Sequence, residues 1–127
     1  MTSNELQTIL ENNIPIKIFI LNDNRQQMVY IWQKLFHNNN IIGTENINPH
    51  YDLLGLSYGL DTVVCNNKNS LDSCVQKVML NKGPVLGIFN IEPEMCFPLV
   101  APGKGLDEMI LNNNDINKLD LNQNAPN

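Results

Sequence analysis

An α/β fold, a partial parallel sheet with helices on both faces, is predicted by two features of the sequence. Three short apolar runs rich in β-branched residues are separated by longer stretches whose apolar residues recur at helical spacing. Each connection is long enough to hold a helix, which implies right-handed crossovers between parallel strands.

The elements follow in order. Thr2 and Glu5 have the spacing of a capping box, and Leu6, Ile9 and Leu10 share one face of the helix behind it. The run Ile14-Pro15-Ile16-Lys17-Ile18-Phe19-Ile20-Leu21 reads as a strand buried on both faces, stopped by the polar turn Asn22-Asp23-Asn24. A second helix carries Met28, Ile31, Trp32, Leu35 and Phe36 on one stripe. After a loop from His37 to Ile47, Asn48-Pro49 has the form of an N-cap and a first-turn proline, with Gly59 as the stop. Thr62 to Cys65 is a short strand. Ser70 is expected to cap a helix whose apolar face is Leu71, Cys74, Val75, Val78 and Met79, ending before Gly83-Pro84. Val85 to Ile91 is the last strand. No repeat or linker divides the chain, so residues 1–111 are expected to form the domain and 112–127 a polar, disordered tail.

Composition narrows the function classes. Of the 127 residues, 43% are hydrophobic and 17% charged, the balance of a globular chain. A net charge of -5 with eight scattered basic residues argues against a nucleic-acid surface. No apolar run approaches the ~20 residues that cross a bilayer, so no membrane association is expected. Met1 to Glu11 lacks the basic cluster of a targeting peptide, which leaves the cytoplasm as the default location. Cys65, Cys74 and Cys96 have no Cys-x-x-Cys spacing and read as reduced thiols. Asparagine is abundant, and no function is drawn from that.

Ligands of open parallel sheets bind beyond the carboxyl ends of the strands, where Asn22, Asp23 and Asn24 stand. Their hard oxygens suit Mg²⁺, and the same residues equally suit an ordinary strand-stopping turn. Gly103-Lys104-Gly105 fails as a phosphate loop, because Gly105 stands where Ser or Thr is required. His37 and His50 have no partner at metal-binding spacing, and no catalytic residue can be singled out.

Several stretches are recognisable together. Asn13-Ile-Pro-Ile-Lys-Ile-Phe-Ile-Leu-Asn22, Met28-Val-Tyr-Ile-Trp-Gln-Lys-Leu-Phe36, Asn48-Pro49, Tyr58-Gly59 and Gly83-Pro84-Val85-Leu86 keep a familiar order. Phe97-Pro-Leu-Val-Ala-Pro-Gly-Lys-Gly-Leu-Asp-Glu-Met-Ile110 then closes the pattern. Over residues 1–111 the chain resembles the C-terminal part of the thiamine-diphosphate-binding domain of the acetolactate synthase large subunit. The resemblance implies a truncated thiamine-diphosphate-binding fold and the chemistry of 2-oxoacid condensation in branched-chain amino-acid biosynthesis.

By that resemblance Asn22 contacts the cofactor, Asp23 holds Mg²⁺, Met28 lies beside the cofactor, and Trp32 favours 2-oxobutyrate as acceptor. Without the resemblance Trp32 reads as a core residue on its helix stripe. The Pro102 to Asp107 segment is similar to a flap that orders over the cofactor, or is else a loop on the sheet edge. Two positions depart from the family: Asp23 replaces the second residue of an Asn-Asn pair, and Gln27 replaces a glycine. The family's Gly-Asp-Gly motif, its glutamate-bearing pyrimidine domain and its central FAD-binding domain are not expected within these residues. The expectation is therefore weak or no cofactor binding and no catalysis by the chain alone. The other readings are a module completed in trans, or a non-catalytic protein docking on a full-length synthase subunit. A truncated parallel sheet also makes self-association an expectation.

Overall fold

The computed structural model describes residues 3–116. Its elements are α1 (Glu5–Glu11), β1 (Lys17–Asn22), α2 (Gln27–Phe36), α3 (Tyr51–Ser57), β2 (Asp61–Cys65), α4 (Leu71–Leu80), β3 (Val85–Asn90) and α5 (Asn113–Ile116). The chain divides into two compact units, Met1–Asn24 with Ile47–Glu92, and Arg25–Asn46 with Pro93–Asn127.

The first unit is built on a parallel sheet in the order β1-β3-β2. Alternation along β3 assigns each helix to a face. A Cβ at Gly55 of α3 would lie 2.6 Å from Thr62 and 3.1 Å from Leu86, so α3 rests directly on that side. Gly87, next along β3 and facing the other way, lies against Val78 of α4, 2.9 Å from where its Cβ would be. Helices thus cover both faces, as the spacing of the apolar runs predicts. Val85, Leu86, Ile88, Phe89 and Val78 are 5% exposed or less. On α4's side Cys65, Cys74 and Phe89 form a buried cluster.

The strand buried on both faces is β3, not the Ile14 to Leu21 run. In the sheet order β1 has a single hydrogen-bonded neighbour, and Phe19 and Leu21 are 43% and 68% exposed. Phe19 finds partial cover by stacking on Phe89, with ring centroids 5.6 Å apart. An apolar run predicts a strand but not its place in the sheet, and here it forms an edge.

Helix ends depart from the expected caps in three places. Asn4, not Thr2, precedes α1, and Thr2 lies outside the described residues. Asn67 rather than Ser70 supplies the oxygen before α4. It accepts from Ser70 N at 3.0 Å and opens a short 3₁₀ turn, Lys68–Ser70, that leads into the helix. His50 precedes α3, and Asn48 is released for another role. Gly59 stops α3 as expected, at φ 79°. Its N–H donates to Leu56 O at 2.9 Å and that of Leu60 to Gly55 O at 3.0 Å, the paired bonds of a Schellman motif.

In the second unit α2 has the expected stripe. Ile31 is 1% exposed and packs with Leu99, Ala101 and Ile110, while Trp32, Leu35 and Phe36 lean on that cluster. Leu99 and Ile110 form an antiparallel bridge through hydrogen bonds of 3.0 and 2.7 Å. Residues 112–116, at the start of the expected tail, include α5, whose Ile116 joins the Ile31 cluster. The remainder of that expectation, residues 117–127, lies outside the described residues.

Candidate functional site

At the carboxyl end of the sheet the three strands deliver an asparagine each to the same level. Asn22 ends β1, Asn90 ends β3 in register with it, and Asn66 follows β2 immediately. Neighbouring strands lie about 4.8 Å apart, which lets their side-chain amides bond in a row. Asn22 Nδ2 donates to Asn90 Oδ1 at 2.8 Å, and Asn90 Nδ2 to Asn66 Oδ1 at 2.6 Å. Asn48 completes the row from the other side. Its Nδ2 donates to Asn22 Oδ1 at 2.7 Å and to Asn24 Oδ1 at 3.3 Å.

The predicted turn therefore exists, and the network fixes the orientation of its first residue. Asn22 has its amide nitrogen toward Asn90 and its carbonyl oxygen toward Asn48. Asn24 takes φ 56°, a left-handed conformation that asparagine tolerates, and so turns the chain sharply after Asp23. Asp23, partly exposed, stands between the two residues that Asn48 bridges. Asn48, Asn66 and Asn90 escaped the sequence reading. Asn48-Pro49 looks like a helix start, and nothing local links Asn66 and Asn90 to a turn so far away in the chain.

The second unit holds the other two expected site residues together. Met28 and Trp32 line one groove of about 570 Å³ with Val29, Gln33, His37, Asn40 and Ile42. Trp32 packs against the Ile31 cluster, the core position its helix stripe predicts, and also borders the groove. Its ring meets Phe36 edge-on with centroids 5.2 Å apart. Gln33, inside the Trp-Gln pattern, braces the groove wall. Its Nε2 donates to Ile42 O at 2.9 Å, and its Oε1 accepts from Ile42 N at 3.2 Å and from the buried Thr44 hydroxyl at 2.9 Å.

Gln27 donates from Nε2 to Glu94 O at 2.6 Å. Its Oε1 is buried and accepts no hydrogen bond among the described residues. The Lys104 ammonium bonds Glu108 Oε1 at 2.9 Å, within a turn whose Gly103 takes φ 74°. The base of this loop is anchored by Leu99, Ala101 and Ile110, whereas residues 102–108 are exposed.

The comparisons with known proteins decide the family. Residues 1–88 match the family described as thiamine pyrophosphate enzyme, C-terminal TPP binding domain. The chain belongs to that family. Its parallel α/β sheet with helices on both faces is the corresponding architecture. Within the thiamine pyrophosphate enzymes it is similar to the mitochondrial acetolactate synthase catalytic subunit of Saccharomyces cerevisiae, 35% identical over 87% of this chain and 16% of that protein. It is 34% identical to the acetolactate synthase large subunit of Porphyra purpurea over 87% of this chain and 19% of the relative. The mitochondrial acetolactate synthase of Schizosaccharomyces pombe is also 34% identical, over 87% of this chain and 17% of its own length. The chain thus spans less than a fifth of these relatives.

For a thiamine pyrophosphate enzyme domain the donor chemistry of the turn is suitable. Asn22 Oδ1, the Asp23 carboxylate and Asn24 Oδ1 are the hard oxygens that Mg²⁺ takes. Asn22 Oδ1 accepts one hydrogen bond here, and a carbonyl oxygen has two lone pairs. The residues fit one flank of a metal–diphosphate site. Among the described residues no helix is long and apolar enough to cross a membrane.

Proposed function

We propose that this polypeptide supplies one flank of a Mg²⁺–thiamine diphosphate site of the acetolactate synthase kind, and that by itself it binds the cofactor weakly and is inactive. The observation that carries this reading is the Asn22-Asp23-Asn24 turn, held at the carboxyl end of a parallel sheet by four amide hydrogen bonds. Asp23 would hold the divalent ion, and Asn22 would orient the diphosphate. Asp23 places a carboxylate where the family has an amide, so it attracts the cation and repels the diphosphate together. Met28 and Trp32 would exclude water and shape an apolar recess for the acceptor 2-oxoacid. When bound, thiamine diphosphate supplies the carbanion stabilisation on which 2-oxoacid chemistry depends.

The opposing carboxylate, in the family's Gly-Asp-Gly motif, does not occur in these 127 residues. A Mg²⁺ site without the charged ligand on one of its sides has much lower affinity, because each such ligand makes a charge-assisted bond. The exposed Phe19 and Leu21 on the edge strand favour a second reading, a module completed in trans by a separate polypeptide. Calorimetric titration with thiamine diphosphate and Mg²⁺ tests both. The first reading expects no tight binding by the chain alone, and tight binding would sink it. The second expects Mg²⁺-dependent binding once a polypeptide carrying Gly-Asp-Gly is added. In such a complex Asp23→Ala should weaken metal affinity by about tenfold or more, and unchanged metal dependence would remove Asp23 from the site.

A further inference from the structure

We infer that Asn48 is a positioning residue that sets the geometry of the Asp23 turn by clamping both of its flanks; this rests on the Mg²⁺–diphosphate reading above. One amide nitrogen reaches Asn22 Oδ1 at 2.7 Å and Asn24 Oδ1 at 3.3 Å, and these are the residues on either side of Asp23. A single NH₂ group has two hydrogens, so both bonds can be made together. On the far side Asn22 is tied to Asn90, and Asn90 to Asn66, so Asn22 cannot rotate without breaking the row. Among the described residues Asn24 has no such row behind it. Its left-handed φ of 56° places it in a conformation costly for most side chains, and the Asn48 amide ties its side chain to the sheet end.

The consequence concerns the metal site and not the fold. Residues that orient ligands without touching the ion hold them within a few tenths of an ångström of productive geometry. Asn48 touches neither a reacting atom nor, by this reading, the ion. It decides whether the Asn22 carbonyl and the Asp23 carboxylate face the same way. Asn48 lies at the start of the segment leading into α3, so that segment is coupled to the site through one side chain.

The test uses the whole 127-residue chain, labelled with ¹⁵N and compared with Asn48→Leu and Asn48→Gln. Leucine nearly matches asparagine in size but donates nothing, whereas glutamine keeps the donor. Asn48→Ala serves instead if leucine disturbs folding. The first readout is the side-chain amide resonances of Asn22 and Asn24, with the backbone shifts of residues 22–24. Asn48→Leu should move and broaden them, Asn48→Gln should restore them at least partly, and the urea midpoint should stay nearly constant. Unmoved resonances in Asn48→Leu overturn the inference, as does an effect confined to global stability. The second readout is paramagnetic broadening by Mn²⁺ in the presence of thiamine diphosphate. Where the wild-type chain is broadened around Asp23, Asn48→Leu should need about tenfold more Mn²⁺, and an unchanged requirement overturns the inference. If the wild-type chain is broadened there neither alone nor after a polypeptide carrying Gly-Asp-Gly is added, the metal reading fails, and the first readout still decides whether Asn48 positions the turn.

Discussion

At the scale of single residues, asparagine takes over work that other proteins give to glycine and to charged side chains. Asn13, Asn24, Asn38 and Asn39 all adopt positive φ, a region that asparagine enters more readily than other residues with a Cβ. Asn22, Asn48, Asn66 and Asn90 satisfy one another across the strand ends without any net charge. The abundance was plain in the sequence, but neither use was. Left-handed positions depend on where elements end, and a row of amides depends on strand register. The charged residues act more simply. The hydrogen bond from Lys104, then that from Gly105 N–H, holds the Glu108 carboxyl below its usual range, and Glu108 raises Lys104. A depressed carboxyl stabilises the folded chain above its ordinary titration range. That contribution disappears as the pH falls through the depressed folded value. Both side chains are solvent-exposed, so the effect is small and salt-sensitive. Glu108→Gln should therefore lower the thermal midpoint slightly at neutral pH and not at all in strong acid. Melting curves across pH check this, and a difference that grows with acidity would contradict it.

At the scale of elements, helix ends carry the chain's local specificity. Both α1 and α3 close with paired Schellman bonds, α1 through Asn13 at φ 46° and α3 through Gly59 at φ 79°. Gly59→Ala should lower the unfolding free energy by about 1–2 kcal/mol, the cost of a Cβ in the left-handed region. A Cβ there would also stand 3.2 Å from Leu10 of α1, so the side chain of Leu10 must shift. Urea titration measures this, and an unchanged midpoint would show that the loop relaxes freely. The existence and order of the helices and strands were legible, because periodicity is a local property. The starts are less so: the sequence offers Ser70 and Asn48 as caps, yet Asn67 caps the turn before α4 and Asn48 serves the Asp23 turn. Ser, Asn and Asp bond to any nearby backbone or side chain, and several of them within reach compete for one end.

At the scale of the molecule, the sheet order determines which apolar surface is covered. Helix α4 covers the β3 side of its face at Gly87, while Phe19 and Leu21 on β1 stay exposed. An apolar edge strand is a template for pairing with another chain. The chain should therefore associate at high concentration, and Leu21→Lys should shift it toward the monomer in sedimentation velocity. A wild-type chain that sediments as a monomer throughout would remove this expectation. The α/β class, the order of elements, the polar turn at residues 22–24 and the family were all legible in the order of amino acids, because each rests on residues near one another or on a pattern quoted in order. The central place of β3, the edge position of Phe19 and Leu21, and the convergence of Asn48, Asn66 and Asn90 on Asn22 emerged with the folded chain alone. Those outcomes depend on which strands pair and in what register, and pairing between segments dozens of residues apart is settled by the packing of the whole sheet.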